Sequence, residues 1–223
     1  MEREIVKTNQ GFKIAKKEKG NINISKNSIQ IKRTGKPIEK RYNTGYVYLL
    51  IDCSGSMCDG NKMSQAKDGA RKFLRDAISK GYSSGLIKFD TNASTIMQPQ
   101  REITYIDNSI LNLYANEYGW TNMADAIKQA EKNLVNRSGY KVIVLVTDGE
   151  PNMPKENPYE ATLNESESSK RNGIEIITIG TENADREFLD KLATKKDLSI
   201  IVNSINLSKG IKSAANLLMI CDK

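Results

Sequence analysis

The sequence predicts a doubly wound α/β domain with a mostly parallel central sheet of about six strands, one antiparallel edge strand and flanking helices. Two observations support this fold class. From residue 46 onward, short apolar segments alternate with longer segments of helical periodicity. The apolar segments are nearly continuous, as expected for strands buried on both faces. Strands that alternate with helices in this way form parallel sheets covered by helices.

The strands of the main domain are expected, in chain order, at Tyr46–Asp52, Gly85–Phe89, Ser94–Gln98, Lys141–Thr147, Ile174–Ile179 and Leu198–Val202. The short third strand is expected to pair antiparallel with the second across residues 90–92. Apolar residues at helical spacing predict helices at Met63–Lys80, Ile106–Tyr114, Met123–Val135, Pro158–Asn172, Arg186–Ala193 and Leu207–Met219. Gly173 is a typical stop for the helix that precedes it.

The charge of the chain changes at about residue 45. The chain has 223 residues, with 34 basic and 27 acidic side chains and a formal net charge of +7. Residues 1–45 contain 12 Lys or Arg and 4 Asp or Glu, whereas residues 46–223 contain 22 and 23. All the excess positive charge therefore lies in residues 1–45. We predict a basic N-terminal β-meander or arm over 1–45 and the main domain over 46–223.

Residues 1–45 contain three short segments of alternating apolar and polar residues, at Phe12–Ile14, Ile22–Ile24 and Ile29–Lys32. Separated by turn residues, these segments favour a β-meander over a flexible basic arm. We favour a soluble edge whose lysines prevent aggregation. The alternative is a surface for an acidic protein, a nucleic acid or a membrane, although one aromatic residue in the charged stretch gives little support for base stacking.

The residue types that are absent exclude several kinds of active site. The chain has no histidine, and its three cysteines are Cys53, Cys58 and Cys221. Without imidazole there is no Ser-His-Asp or Cys-His nucleophile and no histidine metal ligand. The cysteines are too few for a Cys-only zinc site, and we expect reduced thiols in a cytoplasmic protein. The first residues do not predict a signal peptide, and no apolar run predicts a membrane span.

Oxygen-bearing side chains follow two of the predicted strands. Asp52, Ser54 and Ser56 lie at the end of the first strand, and Asp148 follows the fourth. The doubly wound strand order would place these strands side by side, and ligands bind at the carboxyl ends of strands where the order reverses. Two carboxylates would therefore face one crevice, with several hydroxyls nearby.

This set of oxygen ligands, without thiolate or imidazole, suits Mg²⁺ or Mn²⁺ rather than zinc or copper. Because Mg²⁺ is octahedral and only two of the side chains are charged, one position is expected to stay open for an outside carboxylate. Gly55 would let its loop turn tightly around the ion, and Gly149 would let the second loop pass close to it.

The pattern Asp52-x-Ser54-x-Ser56, a distant Thr121 and Asp148-Gly149 after a hydrophobic strand resembles the metal-ion-dependent adhesion site of von Willebrand factor A domains. The resemblance covers about residues 45–220. It includes residues 60–63 at the start of the first helix and residues 179–182 after the fifth strand.

The resemblance implies the Rossmann-like fold of that family and a role for each matched residue. Ser54, Ser56 and Thr121 would bind the metal through their hydroxyls. Asp52 and Asp148 would bind it directly or through water, and a Glu or Asp of a partner protein would complete the coordination. Cys53 stands where the family tolerates several small residues.

Three residues are predicted to form a partner-binding rim around the metal: Trp120, Asn122 and Glu150. Trp120 stands where the family commonly has glycine. A rim contact and packing against the neighbouring helix are equally good interpretations of this residue. For Tyr114 and Tyr118 we favour packing.

These observations predict a metal-dependent protein–protein interaction module that binds an acidic residue of a partner through Mg²⁺. By resemblance, it would work in a bacterial intracellular multiprotein complex. Some bacterial cytoplasmic members of the family work with AAA+ ATPases, and others work beside kinases and phosphatases in stress and tellurite-resistance systems. The segment Tyr48–Asp52 is similar to the latter group.

Two other functions compete with this prediction. One is a Mg²⁺-dependent phosphotransferase or hydrolase. Aspartyl-phosphate enzymes also carry an Asp after the first strand, but usually need a second Asp where this chain has Ser54, and no phosphate-binding P-loop is present. We therefore do not expect an enzyme. The other is a nucleic-acid-associated protein that uses the basic N-terminal segment, although the near-neutral main domain argues against a broad nucleic-acid surface.

Overall fold

A computed structural model describes residues 44–221 in full and the backbone of residues 3–8 and 11–16. The strands are β1 (Arg3–Thr8), β2 (Gly11–Lys16), β3 (Gly45–Asp52), β4 (Tyr82–Phe89), β5 (Ala93–Gln100), β6 (Tyr140–Thr147), β7 (Ile174–Thr181) and β8 (Ser199–Val202). The α-helices are α1 (Lys62–Ser79), α2 (Ile103–Leu111), α3 (Met123–Leu134), α4 (Pro158–Arg171), α5 (Arg186–Leu192) and α6 (Leu207–Ala214).

Strands β3 to β8 form one sheet in the order β5-β4-β3-β6-β7-β8. Every neighbouring pair in this sheet is parallel except β4 and β5, so β5 is an antiparallel edge strand. The doubly wound fold class predicted from the sequence is confirmed. Strand β3 lies between β4 and β6, which makes the ends of β3 and β6 neighbours at the point where the strand order reverses.

Each face of the sheet carries its own hydrophobic core, because successive side chains of a strand point to opposite faces. On one face, Val47, Leu49 and Ile51 of β3 pack with helices α1, α2 and α6. On the other face, Tyr48 and Leu50 pack with helices α3 and α5 and with apolar residues of α4. All five of these β3 side chains are fully buried, so the central strand is covered on both sides.

The helix and strand bounds differ from the predicted ones mainly at the ends of the elements. Strand β4 begins at Tyr82, three residues before the predicted start at Gly85, because Ser83 and Ser84 are part of the strand despite their polar character. Helix α2 lies three residues earlier than predicted. Helix α6 ends at Ala214, and the chain continues as a 3-10 turn over Ala215–Leu217 rather than as the predicted longer helix.

Strands β1 and β2 form a separate antiparallel pair in which Arg3 lies opposite Lys16 and Thr8 opposite Gly11. The predicted segment Phe12–Ile14 lies within β2. A strand at Arg3–Thr8 was not expected, because its charged residues obscure the apolar alternation. The other two predicted segments, 22–24 and 29–32, lie outside the described residues, so the division at residue 45 stays a prediction. In the part of the chain that the structure describes, no helix is long and apolar enough to cross a membrane.

Candidate metal site

The two carboxylates predicted as metal ligands stand at the ends of neighbouring parallel strands. Asp52 is the last residue of β3, and Asp148 directly follows β6. Residues of the two strands lie side by side, with Ile51 opposite Val146. The hydroxyl of Thr147 donates a hydrogen bond of 2.7 Å to Oδ2 of Asp52, which joins the two strand ends directly. The parallel arrangement therefore brings both carboxylates to one edge of the sheet, as the sequence predicted.

A chain of hydrogen bonds links the first loop to Asp148. The backbone N–H of Ser54 donates to Oδ1 of Asp52 at 2.9 Å, and a 3-10 turn over residues 55–58 follows. This turn places the hydroxyl of Ser56 within 3.2 Å of the Ser54 hydroxyl. The Ser56 hydroxyl in turn donates to Oδ1 of Asp148 at 2.7 Å. Four of the five predicted ligands thus lie in one hydrogen-bonded cluster.

Thr121, the fifth predicted ligand, is buried, and hydrogen bonds join its segment to the loops after β3 and β6. Its N–H donates to Oδ1 of Asn152 at 2.6 Å, and its carbonyl accepts from the N–H of Asn152 at 3.1 Å. On the other side, the carbonyl of Gly119 accepts from the N–H of Gly55 at 3.0 Å. None of these three bonds uses the Thr121 hydroxyl.

Asp52 is fully buried, and this burial changes its protonation. Burial raises the pKa of Asp52 from 3.8 to about 7, against hydrogen bonds from Ser54 and Thr147 that lower it, and nearby Asp148 adds a small further rise. A metal ligand must be deprotonated, so a cation at this carboxylate would compete with a proton near neutral pH.

Lys62 lies at the candidate site, where the sequence analysis assigned it no role. Its ammonium lies 2.8 Å from Oδ2 of Asp148, and it also donates to the carbonyl of Ser56 at 3.1 Å. The Lys62 side chain is 12% exposed and that of Asp148 is 0% exposed, so the ion pair is largely shielded from water. One signal was available in the sequence: a lysine opens a helix, where acidic residues are usual.

Thr147 was also missed, although it lies beside a predicted ligand. It is fully buried, and its hydroxyl both donates to Asp52 and accepts from the N–H of Gly149 at 3.3 Å. It therefore orients the Asp52 carboxylate. A hydroxyl residue at the end of a strand that otherwise contains mainly apolar residues is the signal that could have identified it.

The two loop glycines have different roles. A Cβ atom at Gly55 would lie 2.7 Å from the carbonyl oxygen of Glu117, so the close approach of these two loops requires glycine. At Gly149 a Cβ would meet no protein atom within 4 Å and the backbone is not in the left-handed region, so the expected approach of this loop to the ion stays a prediction. The loop after β6 reaches the site without passing close to the backbone of another segment at this position.

The predicted rim residues differ in how much of each side chain is available. Trp120 is 51% exposed and Glu150 is exposed, with its Oε2 accepting from the Tyr159 hydroxyl at 2.6 Å. Asn122 instead caps helix α3: its Oδ1 accepts from the N–H of Asp125 at 3.1 Å, and its Nδ2 donates to the carbonyl of Thr91 at 3.0 Å.

The aromatic residues near the rim are more exposed than predicted. Tyr118 is 85% exposed, so the packing interpretation is wrong for it. Tyr114 is also exposed, and the ammonium of Lys67 lies 4.2 Å from the centre of its ring. Cys53, by contrast, is buried in the core on the α1 side of the sheet, and burial raises the pKa of its thiol to about 12. It therefore lies beside the site without offering it a thiolate.

The residues present fit a hard divalent cation. Between residues 44 and 221, no cluster of three or more Asp, Glu, Cys or His side chains could hold a metal. A metal site here therefore has to combine its two carboxylates with hydroxyls, and the Ser54–Ser56–Asp148 cluster supplies that combination. Oxygen ligands of this kind are those that Mg²⁺ and Mn²⁺ prefer.

The fold and the site define a doubly wound α/β domain with a cluster of oxygen-bearing side chains at the point where its strand order reverses. The family model described as "von Willebrand factor type A domain" matches residues 47–214, and the chain belongs to this family. The resemblance that the sequence suggested is thereby confirmed, and the tellurite-resistance type stays a prediction.

Comparisons with known proteins give three examples of similarity. The chain is 27% identical over 146 residues to thrombospondin-related anonymous protein of Plasmodium falciparum. This match covers 60% of this chain and 25% of that protein. Proximal thread matrix protein 1 from the mussel byssus, solved with a zinc-occupied MIDAS motif, has a TM-score of 0.69 and 19% identity, over 79% of this chain and 46% of that one. The vWF domain of the type V pili tip protein Mfa5 from Porphyromonas gingivalis has a TM-score of 0.69 and 15% identity. This match covers 79% of this chain and 95% of that one.

Proposed function

We propose that the chain is a metal-dependent protein-interaction module that holds Mg²⁺ or Mn²⁺ and binds an acidic residue of a partner protein. The ligands would be Asp52, Ser54, Ser56, Thr121 and Asp148. The observation that carries this proposal is the hydrogen-bonded cluster that joins Ser54, Ser56 and Asp148 across two neighbouring strand ends. A zinc-occupied MIDAS motif in a mussel byssus protein of the same fold supports metal binding at this place.

The charges of the site favour an acidic partner. When bound, the metal would act as a Lewis acid with a coordination position open to an outside oxygen. Two ionised carboxylates balance a divalent cation, and the Lys62 ammonium beside Asp148 adds one positive charge that the exposed Asp59 carboxylate, 3.8 Å away, offsets only in part. The loaded site would therefore attract a Glu or Asp of the partner.

The exposed aromatic residues beside the candidate metal site suit a protein partner. Trp120 and Tyr118 lie in the loop whose Gly119 carbonyl bonds to Gly55, so they flank the metal ligands. Large exposed aromatic side chains are frequent in the central contacts of protein interfaces. Glu150 lies on the opposite loop, and Asn122 holds the Trp120 loop in place through its cap of α3.

An enzymatic role is less well supported by the site. Asp52 is fully buried and both of its carboxylate oxygens accept hydrogen bonds, from Ser54 and Thr147, so it is not presented as a nucleophile. We propose an intracellular location, with the three cysteines reduced. Cys53 and Cys58 are free thiols in the structure, and Cys53 is buried. Membership of a bacterial multiprotein complex and any nucleic-acid role of residues 1–45 stay predictions.

The proposal is tested with the full chain and the variant Asp148→Asn, which keeps the side-chain shape but removes the charge. Purified protein is treated with chelator, and thermal unfolding is then followed as Mg²⁺ or Mn²⁺ is added. We expect the wild type to be stabilised by millimolar metal, because a ligand that binds only the folded state raises its stability. Asp148→Asn is expected to lose most of this gain.

The matched control is Asp107→Asn, which removes a carboxylate that pairs with Arg71 and Arg75 away from the site. This control is expected to keep the full metal response. Pull-downs compared with and without chelator then test the partner: the proteins retained by the wild type and by the control should be lost with chelator and with Asp148→Asn. Retention that is insensitive to chelator would exclude the metal bridge.

A further inference from the structure

The ammonium of Lys62 takes part in the candidate site as a third charged group. It lies 2.8 Å from Oδ2 of Asp148, 3.1 Å from the carbonyl oxygen of Ser56 and 3.8 Å from a carboxylate oxygen of the exposed Asp59. Since Oδ1 of Asp148 accepts from the Ser56 hydroxyl, both oxygens of this buried carboxylate have partners within the chain. Lys62 is thus the internal counter-ion of one of the two acidic ligands.

The position of Lys62 in its helix is unfavourable unless the ion pair offsets it. Lys62 is the first residue of α1, where the positive end of the helix dipole disfavours a cation. The first turn has no acidic residue, and the side chain of the N-cap residue Asn61 makes no capping hydrogen bond. Residues that violate a local preference in this way are typical of functional sites. The compensation here is the contact with Asp148.

We propose that Lys62 competes with the metal for the negative charge of Asp148 and so sets the metal affinity of the site. The inference rests on the proposed function. The ammonium neutralises Asp148 when the metal is absent, which keeps a fully buried carboxylate from being left without a counter-charge. Metal binding has to weaken or displace this ion pair, because a divalent cation and an ammonium repel each other across one carboxylate.

The test is the variant Lys62→Met, which keeps a long unbranched side chain and removes the charge. Its matched control is Lys72→Met, which removes an ion pair with Asp68 on the exposed side of the same helix. Mg²⁺ and Mn²⁺ affinities are measured by calorimetry on full-length, chelator-treated proteins. Thermal unfolding is recorded with and without metal.

We expect Lys62→Met to bind metal about tenfold more tightly than the wild type, the effect of removing a close charge from a shielded site. Its melting temperature without metal should be lower than that of the wild type, because Asp148 then lacks its cation. The increase in melting temperature on adding metal should be larger. Lys72→Met should match the wild type in metal affinity. Should Lys62→Met fail to fold without metal, Lys62→Gln, whose amide can still donate to Asp148, is expected to show the same tighter binding.

The failure of this inference is distinguishable from that of the proposed function. If the wild type binds metal and neither Lys62 variant binds it more tightly, Lys62 is not a competitor and the inference is overturned. If the wild type binds no metal while a Lys62 variant does, the inference holds and the metal-dependent function of the natural chain fails. If none of the proteins binds metal, both are refuted.

Discussion

The substitution Gly55→Ala tests whether the close contact between two loops shapes the metal site. A Cβ at residue 55 would lie 2.7 Å from the carbonyl oxygen of Glu117 and 3.4 Å from its carbon. This oxygen belongs to the backbone, so the strain cannot be relieved by a side-chain rotation. Overpacking of this kind costs about 1–3 kcal/mol. The hydrogen bond from Gly55 to Gly119, 3.0 Å long, lies in the same contact and would add about 1 kcal/mol if it is lost.

We therefore expect Gly55→Ala to lower the free energy of unfolding by about 2–4 kcal/mol. For a chain of this size, that loss corresponds to a fall in melting temperature of about 5–15 °C. Urea denaturation and thermal scans measure the two quantities. Because Ser54 and Ser56 flank the substituted residue, the stabilisation by Mg²⁺ should also decrease.

Gly149→Ala is the matched control, since it is the other glycine beside a metal ligand and a Cβ there would meet nothing within 4 Å. Its stability should be unchanged or higher by up to about 1 kcal/mol, because alanine reduces the entropy of the unfolded chain. Equal losses for the two variants, or a Gly55→Ala protein as stable as the wild type, would refute the reasoning from loop contact.

Three further predictions concern single features of the site. The pKa of Asp52 is raised from 3.8 to about 7, so the folded protein binds a proton that the unfolded chain releases. Metal-free stability should accordingly fall as the pH rises from about 4 to 7, and metal affinity, measured by calorimetry, should rise about tenfold per pH unit below 7 and level off above it. Trp120→Ala and Tyr118→Ala should weaken retention of the partner in pull-downs. Since both side chains are exposed, the melting temperature should change by no more than a few degrees. If retention is unchanged, these two residues are not part of the partner-binding rim. Asn122→Ala should cost about 0.5–2 kcal/mol in urea denaturation through loss of the α3 cap, and a smaller loss would mean that the cap is dispensable.

The fold and the place of the candidate site could be predicted from the sequence because each depends on local pattern. Continuous apolar runs marked the buried strands; Asp52 ends one of these strands and Asp148 directly follows another. The antiparallel position of β5 followed from the short connection at residues 90–92. Less predictable were the strand start at Tyr82, where serines lie in a buried strand, and the end of α6, where a 3-10 turn continues the apolar pattern.

The roles of several site residues depended on contacts between segments far apart in the chain. Asn122 was predicted as a rim residue, but its side chain is occupied by the cap of α3 and by the carbonyl of Thr91. At Gly55 the close contact with the carbonyl oxygen of Glu117 requires glycine, whereas a Cβ at Gly149 would meet no protein atom within 4 Å. Neither difference could be obtained from residue type, since asparagine and glycine are common both in caps or turns and in binding loops.

The sequence by itself determined the α/β class and the two strand ends that carry oxygen-bearing side chains. It also showed that the chain has no histidine, and too few cysteines for a Cys-only metal site. Only the tertiary structure decided which of these groups contact one another. The parallel pairing of β3 with β6 brought Asp52 and Thr147 together, and the turn after β3 carried Ser56 to Asp148. The Lys62–Asp148 pair joins residues 86 positions apart in the chain, and it exists because helix α1 starts beside the end of β6. Local periodicity contains no information about such distances, which the packing of the sheet and its helices sets.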